Sequence, residues 1–253
     1  MTIIREERIG NQTLLLGDCR EVMRELPPVD HIITDPPFSL RTHAGHDGIA
    51  GKAARDGSVR ATLGYAGLTD EDAAAMAALF CEVSLGWVIW FTDHSLAPVV
   101  HRAFGDAGRA TFPPLPFFQP GRSVRLTGDG PSSWTDWIVC SRTKALNKWG
   151  TLPGGYVAGE GWKDKEHMGG KPLKLMQLVV GDYSKQGETI CDPCMGGATT
   201  LVACERMGRK GIGIEIDPAT FEKACRRVDE AARQPDLLIP ETRPQPTQEA
   251  MDL

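Results

Sequence analysis

The chain has 253 residues, 41% of them apolar and 24% charged, enough for one large domain, or one domain with an insertion, around a buried core. Its 28 Gly and 18 Pro imply many loops yet fall short of a disordered composition, and no run reaches the roughly 18 uninterrupted apolar residues of a membrane span. Collagen, coiled-coil, disordered and membrane-spanning classes are therefore excluded. The formal charge of −5 is unevenly spread: from Asp229 onward six acids face two bases, whereas residues 122–148 carry five bases (Arg122, Arg125, Arg142, Lys144, Lys148) against Asp129 and Asp136. Overall acidity thus does not exclude a nucleic-acid partner.

Residues 1–10 hold Arg5, Glu6, Glu7 and Arg8 where a secretory signal needs an apolar core. The seven cysteines are an odd number in apolar or helical contexts, as expected of reduced thiols, so a soluble cytoplasmic protein is expected. Residues 13–16 are a short strand stopped by Gly17-Asp18, and from Cys19 a helix places Val22, Met23 and Leu26 on one face before Pro27-Pro28. The strand His31-Ile32-Ile33-Thr34 ends in Asp35-Pro36-Pro37-Phe38, so strand, helix and strand follow within thirty residues, the pattern of a right-handed parallel crossover.

Residues 39–65 read as a long loop rich in Gly, Ala and bases. Thr69-Asp70-Glu71-Asp72 predicts a capped helix start, and Trp87 to Phe91 a buried strand. Between 107 and 162 the alternation gives way to Pro, Gly and aromatic residues around one strand, Trp137-Ile138-Val139-Cys140, and this is the expected insertion. A helix from Pro172, a strand over 189–191, a Gly-rich turn, a helix from Leu201 to Met207, a strand from Gly211 to Ile216 and a helix from Ala219 to about Ala232 restore the alternation. Residues 236–253 lack periodicity and are expected to be a flexible acidic tail.

Two segments carry chemistry. In Cys191-Asp192-Pro193-Cys194-Met195-Gly196-Gly197-Ala198-Thr199-Thr200 a strand runs into a helix through glycines, where backbone can approach a ligand closely. Twenty-three residues beyond Asp192, the strand-ending Glu215 is placed to accept hydrogen bonds from a ribose. The turn is not G-x-G-x-x-G, and the acid at its head would repel a pyrophosphate, so a dinucleotide is disfavoured. A nucleoside bearing an ammonium, such as S-adenosylmethionine, fits Asp192 better. Cys191 and Cys194 form a C-x-x-C with no partner pair at zinc spacing, and His43 and His46 have no third ligand, so no metal is expected.

The second segment, Asp35-Pro36-Pro37-Phe38, has two prolines that fix the backbone and remove donors, leaving acceptors and an aromatic face. An exocyclic amine on a base matches the Asp35 carboxylate and the Pro36 carbonyl, with Phe38 stacked on the ring. Together, Asp-Pro-Pro-Phe and Asp-Pro-x-x-Gly-Gly-x-Thr-Thr resemble the amino-methylating DNA methyltransferases, and the order, catalytic motif before cofactor motif, resembles their β class. Leu-Gly-Asp-Cys at 16–19 and His-x-x-x-Lys-Pro-Leu-x-Leu-Met at 167–176 extend the match.

The resemblance implies a circularly permuted Rossmann-like α/β sheet over residues 1–235, with a target-recognition insertion at 107–165. It implies transfer of a methyl group from S-adenosyl-L-methionine to the N6 of a flipped adenine in double-stranded DNA. Asp35, Pro36, Pro37 and Phe38 would be catalytic. Asp18, Cys19, Asp35, His167, Lys171, Pro172, Asp192, Pro193, Met195, Gly196, Gly197, Ala198, Thr199, Thr200 and Glu215 would bind cofactor. A homodimer is implied by the same route; the sequence does not identify a companion nuclease. The family more often has an aromatic residue at the position of Cys194, Ser-Gly at Gly197-Ala198, Pro-Thr-Gln at 168–170 and Tyr at Phe38. Basic residues are assigned to DNA: Arg41, Arg55 and Arg60 in the long loop, Arg122 and Arg125 in the insertion. The rival readings are N4-cytosine methylation, a non-catalytic DNA-binding regulator that keeps the pocket, and a nicotinamide-dependent oxidoreductase. A cysteine nucleophile of the C5-cytosine type is disfavoured, since Cys194 lies in the cofactor turn.

Overall fold

A computed structural model describes residues 2–42, 66–122, 130–146, 151–159 and 170–234. The elements run β1 (Arg5–Ile9), β2 (Gln12–Leu16), α1 (Cys19–Glu25), β3 (His31–Thr34), α2 (Asp70–Val83), β4 (Trp87–Thr92), α3 (Ala97–Asp106), β5 (Ala110–Thr111), β6 (Leu115–Phe118), β7 (Thr135–Arg142), β8 (Tyr156–Val157), α4 (Leu173–Tyr183), β9 (Thr189–Asp192), α5 (Thr199–Arg206), β10 (Lys210–Glu215) and α6 (Pro218–Arg233). They form one sheet in the order β1-β2-β10-β9-β3-β4-β7-β6-β8, with β5 also paired to β7.

The five strands from β2 to β4 in that order are mutually parallel. β3 and β4 are buried at every position, as strands covered on both faces must be, and this is why they read as unbroken apolar runs. One face carries α1, α2 and α3 around Leu15, Ile32, Trp90, Phe80 and Phe104. The other carries α4, α5 and α6, over Ile33, Ile89 and Leu175 on one side and Leu14, Leu201 and Phe221 on the other. Side-chain caps start the helices where the sequence supplies them: Thr69 accepts from the Asp72 amide at 3.1 Å, and Asp217 from Thr220 at 2.7 Å.

The permutation expected from connectivity is present, since β9, from the end of the chain, lies between β10 and β3, from the beginning. Two findings differ from the sequence reading. β1 was not foreseen; its charged Arg5–Ile9 run hides an edge strand that turns at Gly10-Asn11 and pairs antiparallel with β2. Among the described residues of 107–165, β7 pairs antiparallel with β4 along its length, and β5, β6 and β8, short strands absent from the sequence reading, extend the sheet from it. The tail at 236–253 and most of the loop at 39–65 lie outside the described residues.

Arg109, 7% exposed, holds this arrangement together at its rear. Its guanidinium donates to the carbonyls of Cys81 (3.3 Å), Ser84 (3.2 Å) and Gly86 and to Ser141 Oγ (3.1 Å), tying the end of α2 and the start of β4 to β7. Replacing Arg109 by Met keeps the stem and strips the donors from three carbonyls. Urea unfolding should show a loss of about 2–4 kcal/mol; a change within about 0.5 kcal/mol, typical of a surface substitution, would contradict the role.

Candidate active site

The carboxyl ends of β2, β10, β9, β3 and β4 lie along one edge, and Asp18 and Cys19, Glu215, Asp192 with its turn, and Asp35 to Phe38 stand at the ends of the first four, while Lys171 and Pro172 precede α4. Beyond β2, Asp18 caps α1 by accepting from the Arg20 amide at 2.9 Å and pairs with the Arg20 guanidinium, which holds its carboxyl below the usual range. The Gly17 amide donates to the Glu215 carbonyl at 2.9 Å, so Asp18, Cys19 and Glu215 share one corner. Burial pushes the Glu215 carboxyl up, and Oε1 accepts from the Asp217 amide at 2.8 Å. The next side chain, Ile216, is 61% exposed at this corner, an apolar residue that the sequence reading passed over. Its signal was a large apolar residue directly after a strand-ending acid.

The turn after β9 is built around Asp192, which is 2% exposed. Oδ1 accepts from Thr34 Oγ1 at 2.8 Å and from the Cys194 amide at 3.2 Å, and Oδ2 from Thr200 Oγ1 at 2.5 Å. Three of a carboxylate's roughly four acceptor positions are filled from within the protein. Asp192 therefore organises the turn, with little left for the ligand ammonium expected from sequence. Burial raises its pKa to about 6, against the lowering effect of those donors.

Past Pro193, the turn is clasped to β10 by the Met195 amide donating to Ile214 (3.0 Å). A Cβ on Gly213 would overlap Met195 Sδ and Leu201, so this close approach requires glycine. Gly196 takes φ +49°, and a Cβ added there meets nothing within 4 Å, so the turn has an open side where a ligand's backbone contacts fit. Gly197 offers its carbonyl to Arg227. Ala198 adopts the left-handed conformation at φ 59°, strained by about 1–2 kcal/mol for a residue with a Cβ, at the position where Gly is commoner in the family. Thr199 and Thr200 begin α5, both buried.

Asp35 continues β3. Its carboxylate, 24% exposed, receives Lys171 Nζ at 2.6 Å on each oxygen. The Lys171 side chain is 8% exposed and its ammonium also lies 3.6 Å from Asp136 Oδ2, 4.9 Å from the Phe38 ring centre and 5.5 Å from that of Phe91. Burial pushes the Asp35 carboxyl up and Lys171 pulls it down, and burial prevails. Of Lys171 and Pro172, both expected in the cofactor site, Lys171 is paired with the Asp35 carboxylate. Asp136, not foreseen, was signalled by a single acid inside the apolar run of β7.

The Phe38 segment is clamped from behind. Its carbonyl accepts from Leu68 at 2.9 Å, and Asp93 Oδ2 accepts from the Ser39 amide (3.0 Å), Ser39 Oγ (2.5 Å) and Thr42 Oγ1 (2.5 Å). Against burial, these donors hold the Asp93 carboxyl below its ordinary value. Pro36 is buried and Pro37 half-buried beside it.

Of the expected DNA-contacting residues, Arg41 is exposed at the start of the long loop. Arg122 is paired with Asp136, whose other oxygen takes Gln119 Nε2 at 3.3 Å. Arg55, Arg60, Arg125 and His167, together with His43 and His46, lie outside the described residues. Among the described residues no cluster of His, Cys, Asp and Glu is suited to a metal.

The raised Asp192 pKa gives a stability test. A carboxyl whose folded pKa exceeds its unfolded value binds more protons when folded, so stability falls as pH rises through the window between them. Relative to Asp192→Asn, the wild type should lose stability from pH near 3.8 to about 6 and then level off, as read by urea unfolding at several pH values. A difference that does not vary with pH would refute the assignment.

Comparison with known proteins adds an independent view. Residues 133–226 match the family model described as DNA methylase, a stretch that contains the cofactor-type turn and Glu215 but not Asp35 to Phe38. The Type II methyltransferase M.HpaI of Haemophilus parainfluenzae is 34% identical over 65 residues, 26% of this chain and 21% of that protein. M2.DpnII of Streptococcus pneumoniae is 34% identical over 70 residues, 28% of this chain and 26% of that protein. The chain thus spans about a fifth to a quarter of the length of these relatives. The solved M1.HpyAVI-SAM complex superposes with a TM-score of 0.65 at 18% identity, covering 86% of this chain and 99% of that one. PvuII DNA methyltransferase (cytosine-N4-specific) does so with a TM-score of 0.65 at 15% identity, covering 89% of each. The fold is the one these methyltransferases share.

Proposed function

We propose that this chain, which resembles the amino-DNA methyltransferases in sequence over 133–226 and in fold over most of its length, transfers a methyl group from S-adenosyl-L-methionine to the N6 of a flipped adenine in double-stranded DNA. The observation that carries the reading is the adjacency of the two strand ends: Asp35 leaves β3 beside the turn of β9, to which Thr34 is hydrogen-bonded. An amine-recognising carboxylate and a ligand-binding turn thereby face one space.

The residues at the turn fit the cofactor. Gly196 leaves room for it, Glu215 offers its carboxylate to the ribose hydroxyls, and exposed Ile216 offers an apolar surface to the adenine ring. When bound, the group supplies a methyl carbon made electrophilic by a sulfonium. Asp35 accepts one hydrogen of the target amine and the Pro36 carbonyl the other, which localises the nitrogen lone pair toward that carbon. Phe38 covers the base, and the ordering of its segment by Asp93 fixes the angle of approach. The nitrogen gains the methyl as the carbon–sulfur bond breaks, which leaves a neutral thioether, and the cationic methylated amine, now strongly acidic, gives its proton to solvent water.

The Asp-led motif favours adenine by resemblance. N4-cytosine is the second reading, favoured by the fold likeness to a cytosine-N4-specific enzyme. Extruding the base would fall to residues 39–65, with Arg41 on phosphate, and target recognition to the strands and loops of 107–165. A cytoplasmic homodimer is part of the same proposal, by resemblance.

The test is to incubate wild type and Asp35→Ala with mixed-sequence DNA and S-adenosylmethionine, digest to nucleosides and identify methylated bases by mass spectrometry. N6-methyladenine from wild type, reduced by at least about 100-fold in the variant, is the expected outcome. N4-methylcytosine would replace the substrate, and equal product from both proteins would overturn the role of Asp35.

A further inference from the structure

The Lys171 ammonium sits in a cage of two carboxylates and two aromatic rings. It bonds both oxygens of Asp35 at 2.6 Å, stands 3.6 Å from Asp136 Oδ2, and lies over Phe38 and Phe91. The two acids come from different parts of the sheet: Asp35 from the end of β3, Asp136 from β7. Asp136, 4% exposed, is shared with Arg122 and Gln119, both from the loop that follows β6. Asp35, Lys171, Asp136 and Arg122 thus form a chain of alternating sign that balances to zero.

This arrangement poses a conflict for the amine-recognition role. A carboxylate that holds an ammonium between its two oxygens leaves an incoming amine hydrogen only the outer acceptor positions, on oxygens whose charge the ammonium already draws off. Yet a half-buried carboxylate without its cation binds a proton more readily, and the protonated form is a weaker acceptor. Lys171 must be near Asp35 to keep it ionised and must leave at least one oxygen to let it work. Asp136 offers the second berth, and a lysine stem has the rotatable bonds to move an ammonium across so short a gap, as a rigid guanidinium fork does not.

Resting on the methyl-transfer reading above, we propose that Lys171 is a positioning residue with two berths: it caps Asp35 until a target base enters, then shifts its ammonium toward Asp136 as the amine takes over an oxygen of Asp35. The Arg122 and Gln119 contacts on Asp136 make that berth depend on the loop after β6, so contact of this loop with DNA is coupled to release of the catalytic carboxylate. The charged groups facing Asp35 are Lys171, Asp136 and Arg122, with Asp192 behind it on β9. Removing Lys171 leaves three acids against Arg122. The acid limb of the pH–rate profile, set by ionisation of Asp35, must then move to higher pH.

The experiment compares kcat and KM from pH 5.5 to 9.5 for wild type, Lys171→Met, Lys171→Arg and Asp136→Asn with S-adenosylmethionine and mixed-sequence DNA. It is paired with carbon-13 NMR titration of aspartate-labelled protein, in which the Asp35 signal is assigned by its loss in Asp35→Asn. For Lys171→Met, kcat should fall by about 10-fold for each pH unit below the raised carboxyl pKa and recover at high pH, and the Asp35 signal should titrate higher than in wild type. Lys171→Arg should keep the wild-type acid limb. Asp136→Asn should lower kcat at every pH with the KM for cofactor unchanged, because Lys171 has lost its second berth. Loss in Lys171→Met that is uniform across pH, with the Asp35 signal unmoved, would overturn the proposal, as would an unaffected kcat in Asp136→Asn. If the wild type methylates no DNA, the reaction reading fails, whereas the NMR titration still decides whether Lys171 governs Asp35.

Discussion

Thr34 ends β3 and Asp192 ends β9, and the 2.8 Å hydrogen bond between their side chains joins the beginning of the chain to its end at the point where both strands deliver their functional residues. Everything at the site depends on this contact being made in the interior. The threonine is fully buried, the aspartate 2% exposed, and neither has water to fall back on. With Thr200 and the Cys194 amide on the same carboxylate, one buried acid fixes the strand ends, the start of α5 and the turn between them.

The parallel sheet supplies the other half of the constraint. Strands aligned by parallel pairing open their carboxyl ends along one edge, where loops are free to differ while their roots stay fixed. Asp18, Glu215, Asp192, Asp35 and Asp93 all stand at such roots, five acids along one rim. The protein manages the repulsion by partnering them differently: Asp18 with Arg20, Asp192 with three neutral donors, Asp93 with hydroxyls and amides, Asp35 with Lys171. Glu215, with its carboxyl pushed up by burial, stands at the corner it shares with Asp18 and Cys19.

Much of this was legible in the sequence because the signals were local. The unbroken apolar runs of β3 and β4, the Thr69 cap and the Gly-rich turn each declared their structure within a few residues. The permutation followed from which halves lacked a partner. What escaped depends on contacts distant in sequence. β1 is masked by the charges of an edge strand, and the outer strands β5, β6 and β8 by Pro and aromatic residues. Asp136 looks like any acid until β7 brings it to Lys171, 35 residues later in the chain. The same applies to Asp93, whose partners Ser39 and Thr42 precede it by 54 and 51 residues. Arg122, grouped with DNA-binding bases by its charge, is spoken for by an acid that composition could not place beside it.

If the proposed function holds, the rim formed by β2, β10 and β9 takes an adenosine carrying a sulfonium and not a phosphate-linked dinucleotide. Isothermal titration calorimetry of the wild type and Glu215→Ala with S-adenosylmethionine, and separately with a nicotinamide dinucleotide, tests it most directly. One site for S-adenosylmethionine is expected, weakened by about 10-fold or more in the variant, which corresponds to about 1.4 kcal/mol, with no heat from the dinucleotide. Binding of the dinucleotide in place of S-adenosylmethionine, or S-adenosylmethionine binding that ignores Glu215, would contradict it.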